Sequence, residues 1–272
     1  MKRYPTVLTI AGSDSGGGAG IQADIKTISA LGAYATSAIT ALTAQNTRGV
    51  FEIHNVPASF LKSQIEVVFE DIQIDSVKIG MVSNLEIAYV ISEALDKYNP
   101  RFVVFDPVMV STSGSRLIQE ETVSLLWELL FPKVNLITPN LDEAEILVGR
   151  PIRTKTEMQL AAEEMVARGC NAVLLKGGHL ISDKLYDVFS QKGANSLVME
   201  TPYIESNNVH GTGCTLSSAI ATYSALDLSL TESILLAKNY ISDAISAGKN
   251  VTTGHGNGPL NHSYSPQKMY IK

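Results

Sequence analysis

The stretch NVHGTGCTL, residues 208–216, limits the possible folds of this sequence more than any other stretch. Gly211 and Gly213 can adopt backbone angles that are closed to other residues, so successive N–H groups can point into one concavity and bind an anion. An apolar pattern at helical spacing begins at Thr215, and the N-terminus of such a helix adds free N–H groups and a positive dipole end. The stretch therefore indicates either a phosphate-binding loop or an ordinary glycine turn that leads into a helix.

The composition is that of a globular protein with a large core. The chain has 272 residues, 45% of them hydrophobic, and no linker, repeat or charge block divides it. We therefore expect one domain over residues 1–272. A net charge of −6 without a basic cluster argues against nucleic acid and membrane surfaces as partners. No apolar run is long enough for a signal peptide or a membrane span, and the two cysteines, Cys170 and Cys214, indicate a cytoplasmic protein.

Short β-branched runs alternate with amphipathic stretches along the chain. We predict strands at residues 6–11, 36–43, 76–79, 102–105, 134–138 and 172–175, with residues 185–190 and 197–201 pairing locally. We predict helices at residues 21–31, 57–70, 85–98, 120–130, 141–148, 156–168, 215–225 and 230–247. This alternation is typical of an α/β fold with a mostly parallel sheet.

The unusual residues follow the predicted strands. Loops that begin at Gly12, Asp106, Thr138 and Lys176 each come directly after a strand. Because the carboxyl ends of parallel strands share one edge of the sheet, where ligands bind at a topological switch point, we expect these loops to form one site.

The first of these loops, residues 12–20, is rich in glycine. Such a loop permits close approach of the backbone to a ligand, although a flexible turn has the same composition. Its glycines fit neither G-x-G-x-x-G nor a loop closed by G-K-[ST]. The dinucleotide fingerprint and the Walker-type phosphate loop are therefore both missing.

Asp106, Asn140 and Glu143 place hard oxygen ligands after neighbouring strands. Mg²⁺ needs only one or two carboxylates when substrate phosphates complete its coordination. Asn140 and Glu143 also fit a helix N-cap and its capping-box partner, and both roles can hold together. Lys176 could neutralise a transferring phosphoryl group or simply be solvated.

Eight short segments combine glycine or proline with polar residues: AGSD at 11–14, GAGIQAD at 18–24, KIGM at 78–81, DPVM at 106–109, TPNL at 138–141, KGGH at 176–179, HGTGCT at 210–215 and GHGNGPLNH at 254–262. Together they resemble the hydroxymethylpyrimidine/phosphomethylpyrimidine kinase family over almost the whole chain. The resemblance implies a ribokinase-like three-layer αβα sandwich, a homodimer, and ATP and Mg²⁺ as cofactors. It also implies two successive phosphorylations in thiamine biosynthesis, first of the alcohol of 4-amino-5-hydroxymethyl-2-methylpyrimidine and then of its monophosphate.

The same resemblance assigns roles to individual residues. It implies that the aminopyrimidine is bound by Asp24 and Gln45 in a pocket lined by Gly12, Met81 and Val108. It implies ATP binding by Lys176, Gly178, Asn140, Gly211, Thr212 and Gly213, a metal at Asp106 and Glu143, and catalysis by Cys214, Lys176, Gly211 and Gly213. The chemistry of Gln45 suits its role, since an amide can accept from an exocyclic amine while donating to a ring nitrogen. His179 and His210 are further candidates for orienting phosphate.

Cys214 departs from the broader ribokinase-like pattern, in which an aspartate at this place acts as general base. A helix N-terminus lowers the pKa of a cysteine, so partial thiolate character is one expectation, and simple lining of the anion site is the other. A phosphomonoester is already largely ionised at neutral pH, so the second transfer needs no base. We therefore hypothesise that Cys214 supports the reaction without being indispensable.

Three other functions stay open from the sequence. A pyridoxine or pyridoxal kinase of the same superfamily would accept a similar heteroaromatic alcohol, but only the pyrimidine hypothesis predicts a second transfer. A dinucleotide-dependent oxidoreductase lacks its fingerprint here. A nucleotide-binding regulator without turnover would bind ATP and never consume it.

Overall fold

The computed structural model describes residues 2–109, 120–178 and 184–272. Within these ranges one sheet contains nine strands: β1 (Thr6–Asp14), β2 (Tyr34–Asn46), β3 (Gly49–Asn55), β4 (Ser76–Ile79), β5 (Val103–Phe105), β6 (Leu136–Ile137), β7 (Ala172–Lys176), β8 (Lys184–Gln191) and β9 (Leu197–Pro202). The helices are α1 (Gly20–Ala30), α2 (Ala58–Asp71), α3 (Leu85–Tyr98), α4 (Glu120–Leu129), α5 (Leu141–Val148), α6 (Lys155–Ala167), α7 (Thr212–Ala225) and α8 (Leu230–Gly248). None of these helices combines the length and apolar character needed to cross a membrane.

The strand order is β3-β2-β1-β4-β5-β6-β7-β8-β9. Strands β2, β1, β4, β5, β6 and β7 are parallel, whereas β3, β8 and β9 pair antiparallel with their neighbours. β1 lies between β2 and β4, so the direction of winding reverses beside it. The loops that follow β1, β4 and β5 therefore meet at a topological switch point, where open α/β sheets bind ligands.

Both faces of the sheet are covered by helices. One core lies between the sheet and α2 to α6, and the other lies between the sheet and α1, α7 and α8. Successive residues of β5 alternate between these cores, with Val103 and Phe105 in the first and Val104 in the second. Because both faces are apolar, a central strand reads as a continuous hydrophobic run. The expected three-layer αβα sandwich is confirmed.

The predicted elements are all present, with differences at the ends that frame the cavity. β1 continues to Asp14, so Gly12 belongs to a strand and not to a loop as predicted. α7 begins at Thr212, three residues before the predicted start, because Gly211 is its N-cap and the polar first turn gives no apolar signal. β3 was not predicted, because it is an edge strand that no helix covers and most of its side chains are exposed. The predicted local pairing of residues 185–190 and 197–201 is confirmed.

A buried ion pair joins four of these elements. The Nζ of Lys78 on β4 lies 2.9 Å from Oδ2 of Asp24 on α1, and both side chains are 0% exposed. The hydroxyl groups of Thr9 on β1 and Ser218 on α7 each donate to the same carboxylate at 2.6 Å. Burial would lower the pKa of Lys78, but the charge of Asp24 reverses this effect and holds that pKa above its ordinary value. The pair therefore carries full charges inside the core.

Removal of only one charge from this pair should destabilise the fold. We expect Asp24→Asn to lower the free energy of unfolding by about 3–5 kcal/mol, because Lys78 is left as an uncompensated buried charge. The double variant Asp24→Asn/Lys78→Met should recover most of this loss, because it leaves no unpaired charge. Urea unfolding followed by circular dichroism measures both. A double variant no more stable than Asp24→Asn would contradict the argument.

Candidate active site

A cavity opens at the carboxyl ends of the central parallel strands. All but two of the predicted site residues line it, namely Gly12, Gln45, Met81, Asp106, Val108, Asn140, Glu143, Lys176, Gly211, Thr212, Gly213 and Cys214. These residues come from loops and element ends spread over most of the chain. The expectation that the strand-end loops form one site is therefore met.

Two predicted site residues lie elsewhere. Asp24 is 0% exposed and lies behind the cavity wall, because its carboxylate is committed to Lys78 and to two hydroxyl groups. The side chain that reaches the cavity from this pair is Lys78. Gly178 is exposed beyond the end of β7 and does not line the cavity. His179 lies outside the described residues.

The glycine turn before α7 is shaped for close backbone contact. Gly211 has a φ of 84°, and a Cβ at this residue would lie 1.8 Å from the carbonyl oxygen of Gly18. α7 begins at the next residue, so Gly213 and Cys214 lie in its first turn, where N–H groups have no intrahelical acceptors. Both residues line the cavity. This end of the cavity therefore has the donors and the helix dipole that bind an anion.

The glycine-rich loop after β1 is held in place by Asp14. Its carboxylate accepts hydrogen bonds from the N–H groups of Gly16, Gly18 and Ala19 at 2.7, 3.0 and 2.8 Å. Burial raises the pKa of Asp14, but hydrogen bonds from His210 and from the loop outweigh it and hold that pKa below its ordinary value. The loop is therefore organised around an ionised carboxylate and is not a plain flexible turn.

A cation and a carboxylate meet opposite the α7 turn. Nζ of Lys176 lies 2.9 Å from Oδ1 of Asp106, and Thr138 donates to the same oxygen at 2.9 Å. Burial lowers the pKa of Lys176, but the neighbouring carboxylates of Asp106 and Glu143 outweigh it and raise that pKa. A Cβ on Gly213 would lie 3.2 Å from the Lys176 ammonium, so glycine lets the turn approach this pair.

Glu143 and Asn140 form the capping box of α5 and also line the cavity. The Glu143 carboxylate accepts from the N–H groups of Asn140 at 2.9 Å and Met109 at 3.2 Å. Burial raises the pKa of Glu143 to about 7, although the charge of Lys176 opposes the rise. Both predicted roles of this pair are therefore compatible with the same geometry.

The acidic groups fit a sparsely held magnesium ion. No cluster of three or more His, Cys, Asp and Glu residues with metal-binding geometry occurs in the described part of the chain. Asp106 and Glu143 both line the cavity, however, and Mg²⁺ is commonly held by one or two carboxylates together with waters and substrate phosphates. The residues present therefore suit an ion that arrives with a nucleotide.

The surroundings of Cys214 disfavour the thiolate character that was one of the two expectations for this residue. Burial raises the pKa of this thiol to about 11, with Lys78 opposing the rise and the charges of Asp24 and Asp106 adding to it. A thiol with so high a pKa stays protonated at neutral pH. Cys170 is a packed thiol in the core.

A second group of lining residues surrounds Gln45 and Met81. Gly12 leaves room for Met81, whose Sδ would lie only 3.3 Å from a Cβ at that position. The Gln45 side chain lies beside the hydroxyl group of Thr43 at 3.1 Å and Nε2 of His210 at 3.2 Å.

The sequence predictions missed the positions of Lys78 and Asp14 in the site. The signal for Lys78 was a lysine inside a short apolar strand.

Comparison with known proteins agrees with this geometry. The sequence profile of the phosphomethylpyrimidine kinase family matches residues 14–261. The hydroxymethylpyrimidine/phosphomethylpyrimidine kinase of Rhizobium meliloti is 48% identical over 94% of this chain and 96% of the relative. The bifunctional thiamine biosynthesis protein ThiED of Geobacter sulfurreducens is 50% identical over 94% of this chain, which spans 52% of that protein.

Two solved structures share the fold. The phosphomethylpyrimidine kinase of Clostridium difficile 630 has a TM-score of 0.78 and 48% identity, and the match covers 88% of this chain and 99% of that one. An ADP complex of Bacillus subtilis pyridoxal kinase has a TM-score of 0.88 and 32% identity, with 96% and 98% covered. The α/β fold is therefore ribokinase-like, and the chain belongs to the phosphomethylpyrimidine kinase family.

Proposed function

We propose that this protein transfers a phosphoryl group from ATP to the hydroxymethyl oxygen of 4-amino-5-hydroxymethyl-2-methylpyrimidine, and then a second one to the resulting monophosphate. The observation that carries the proposal is a single cavity whose two ends differ in chemistry. One end presents the amide of Gln45 and the apolar wall of Met81, and the other presents the α7 turn with Lys176 and Asp106. Family membership supports the same reaction.

The Gln45 end suits a flat, nitrogen-rich ring. Its amide offers both a donor and an acceptor, which complement a ring nitrogen and an exocyclic amine. Met81 supplies an adaptable apolar wall, and Gly12 and Val108 complete the lining without adding charge. The hydroxymethyl group of a ring bound here would point along the cavity toward the α7 turn.

The α7 end suits a phosphoryl group in transfer. Gly213, Cys214 and Lys176 line the same cavity, where their N–H groups and the ammonium would stabilise charge on the equatorial oxygens. Phosphoryl transfer passes through a loose transition state, so positioning and charge neutralisation supply most of the catalysis. Asp106 and Glu143 would hold Mg²⁺, which when bound neutralises charge on the ATP phosphates.

Neither transfer requires a strong base from Cys214. The monophosphate acceptor has its second pKa near ~6 and is already largely ionised at neutral pH. In the first transfer the alcohol proton is lost late, to the transferred phosphoryl group or to water, because a loose transition state forms little bond to the attacking oxygen. Cys214 would then contribute its backbone N–H and the shape of the anion site.

The proposal is tested by incubating purified protein with labelled ATP, Mg²⁺ and the aminopyrimidine alcohol. We expect the monophosphate to appear first and the diphosphate second, with loss of both when EDTA removes the metal. Turnover of pyridoxal alone would favour a pyridoxal kinase, which the structural likeness keeps as the second candidate. Binding of ATP without any product would favour a regulator. Reduction of a nicotinamide cofactor would favour an oxidoreductase.

Lys176→Ala should lower turnover far more than substrate binding. Removal of one donor to a transition-state charge typically costs about 10²–10³ in kcat, and we expect a loss of that size here. The KM for the pyrimidine should stay within about threefold of the original, since Gln45 and Met81 are unchanged. Steady-state kinetics measure both values. Lys97→Ala, on the exposed face of α3, is the matched control, and unaltered turnover in Lys176→Ala would remove Lys176 from the site.

Cys214→Ala should keep both transfers. We expect kcat within about tenfold of the original for each step, because backbone donors are retained and no thiolate is needed.

Because the Cys214 thiol has its pKa raised to about 11, it should react slowly with iodoacetamide at pH 7.5 and faster as the pH rises. Mass spectrometry measures the labelling, with urea-unfolded protein as control. Rapid labelling of the folded protein at pH 7.5, or loss of the second transfer, would contradict this account.

We propose further that residues 1–272 form one kinase domain that acts as a homodimer. The continuous sheet, which takes strands from both halves of the described chain, supports a single domain. Phe51 is 70% exposed on the uncovered edge strand β3, and Ile53 on the same strand is 39% exposed. Apolar side chains at a sheet edge favour pairing with a second copy. Sedimentation equilibrium would measure the mass, and a monomer would exclude the dimer.

A further inference from the structure

Three side chains meet at the pyrimidine end of the cavity. Nε2 of His210 lies 3.0 Å from Oδ2 of Asp14 and 3.2 Å from Nε2 of Gln45. The other end of the Gln45 amide lies 3.1 Å from Oγ1 of Thr43. The Thr43 hydroxyl also lies 2.9 Å from the carbonyl oxygen of Ser13. The contacts on both ends of the amide are therefore defined by named neighbours.

His210 acts as a donor in this arrangement. The Asp14 carboxylate accepts hydrogen bonds only, and its pKa is held below the ordinary value, so it is ionised. Nε2 of His210 must therefore carry its hydrogen toward Asp14. If Nε2 instead accepted from the Gln45 amide, its lone pair would face the carboxylate at 3.0 Å without a proton between them.

The Thr43 hydroxyl has one hydrogen, and the carbonyl oxygen of Ser13 can only accept it. When that hydrogen is donated to Ser13, Oγ1 of Thr43 is left as an acceptor for the amide. An amide turned by half a rotation has the same shape with its oxygen and nitrogen exchanged, so its partners decide the orientation. With the Gln45 oxygen toward His210 and its nitrogen toward Thr43, the single Nε2 hydrogen of His210 is shared between the Asp14 carboxylate and the amide oxygen, and the amide nitrogen donates to Oγ1 of Thr43.

We propose that Asp14 and His210 fix the orientation of the Gln45 amide, which makes His210 a positioning residue that determines specificity for an amino-substituted ring. This inference rests on the proposed function, in which Gln45 binds the pyrimidine. With one orientation fixed, the remaining amide N–H and oxygen lone pair are presented to the ligand in one order. A ring nitrogen beside an exocyclic amine matches that order, whereas the reverse orientation would place donor against donor.

His210 is well held for this role. A Cβ on Gly18 would lie 2.4 Å from Cδ2 of the His210 ring, so the loop after β1 packs directly on the imidazole. The backbone N–H of His210 donates to the carbonyl oxygen of Gly258 at 3.1 Å, which ties the backbone of this residue to the C-terminal segment. The side chain is 12% exposed. These contacts leave the ring little freedom, so its donor is a fixed reference for the amide.

The experiment measures equilibrium binding of two pyrimidine alcohols by calorimetry without nucleotide. One is the aminopyrimidine alcohol, and the other is the same compound without the exocyclic amine. We expect His210→Leu to weaken binding of the amine by at least about tenfold, as loss of one well-placed hydrogen bond does, while binding of the deamino analogue changes by less than about threefold. His210→Gln places an amide nitrogen near the position of Nε2 and should restore the preference.

A double-mutant cycle separates positioning from general damage. In a Gln45→Ala background, His210→Leu should have no further effect on the preference for the amine, because no amide remains to be oriented. Thermal unfolding of each variant identifies a loss of fold. If His210→Leu does not fold, His210→Asn, whose amide is too short to reach the position of Nε2, replaces it in the cycle. An equal loss for both ligands, or additive effects in the cycle, would overturn the inference. Failure of the original protein to bind the aminopyrimidine would instead overturn the proposed function.

Discussion

The buried ion pair between Lys78 and Asp24 is the constraint on which this cavity depends. Two charges with 0% exposure are tolerable in a core only when they neutralise each other and their remaining bonds are satisfied. Thr9 and Ser218 satisfy the carboxylate, so β1, β4, α1 and α7 can pack in one arrangement around it. That arrangement places the start of α7 above the end of β1. The position of the anion site is therefore set by a charge pair one layer beneath it.

The same pair explains the electrostatics of the cavity floor. The ammonium of Lys78 opposes the rise in the pKa of the Cys214 thiol, yet Asp24 and Asp106 cancel part of that effect. Lys176 is likewise matched by Asp106. Each lysine of the cavity is therefore paired with a carboxylate before any ligand binds, and a chain with a net charge of −6 can still receive phosphate through neutral N–H donors.

The sequence predicted the layers of this fold well, because central strands and covering helices have clear hydrophobic periods. It did not predict β3, whose exposed edge position weakens that signal. The cavity lining followed from one rule, that parallel strands end at one rim, and this holds for Asp106 and Lys176. The placement of Asp24 did not follow, because burial and pairing with a lysine far along the chain are tertiary facts. The sequence left thiolate character and simple lining both open for Cys214 for the same reason, since local helix position says nothing about desolvation.

Two glycines explain why the loop after β1 and the turn before α7 are held in fixed positions relative to each other. A Cβ at Gly211 would lie 1.8 Å from the carbonyl oxygen of Gly18, and a Cβ at Gly18 would lie 2.4 Å from the His210 ring. The loop after β1 and the turn before α7 therefore touch through backbone, and neither can shift without the other. In-line transfer demands that the acceptor oxygen and the phosphoryl group keep a fixed separation. Direct backbone contact supplies that fixed separation more rigidly than two loops anchored independently on the sheet would.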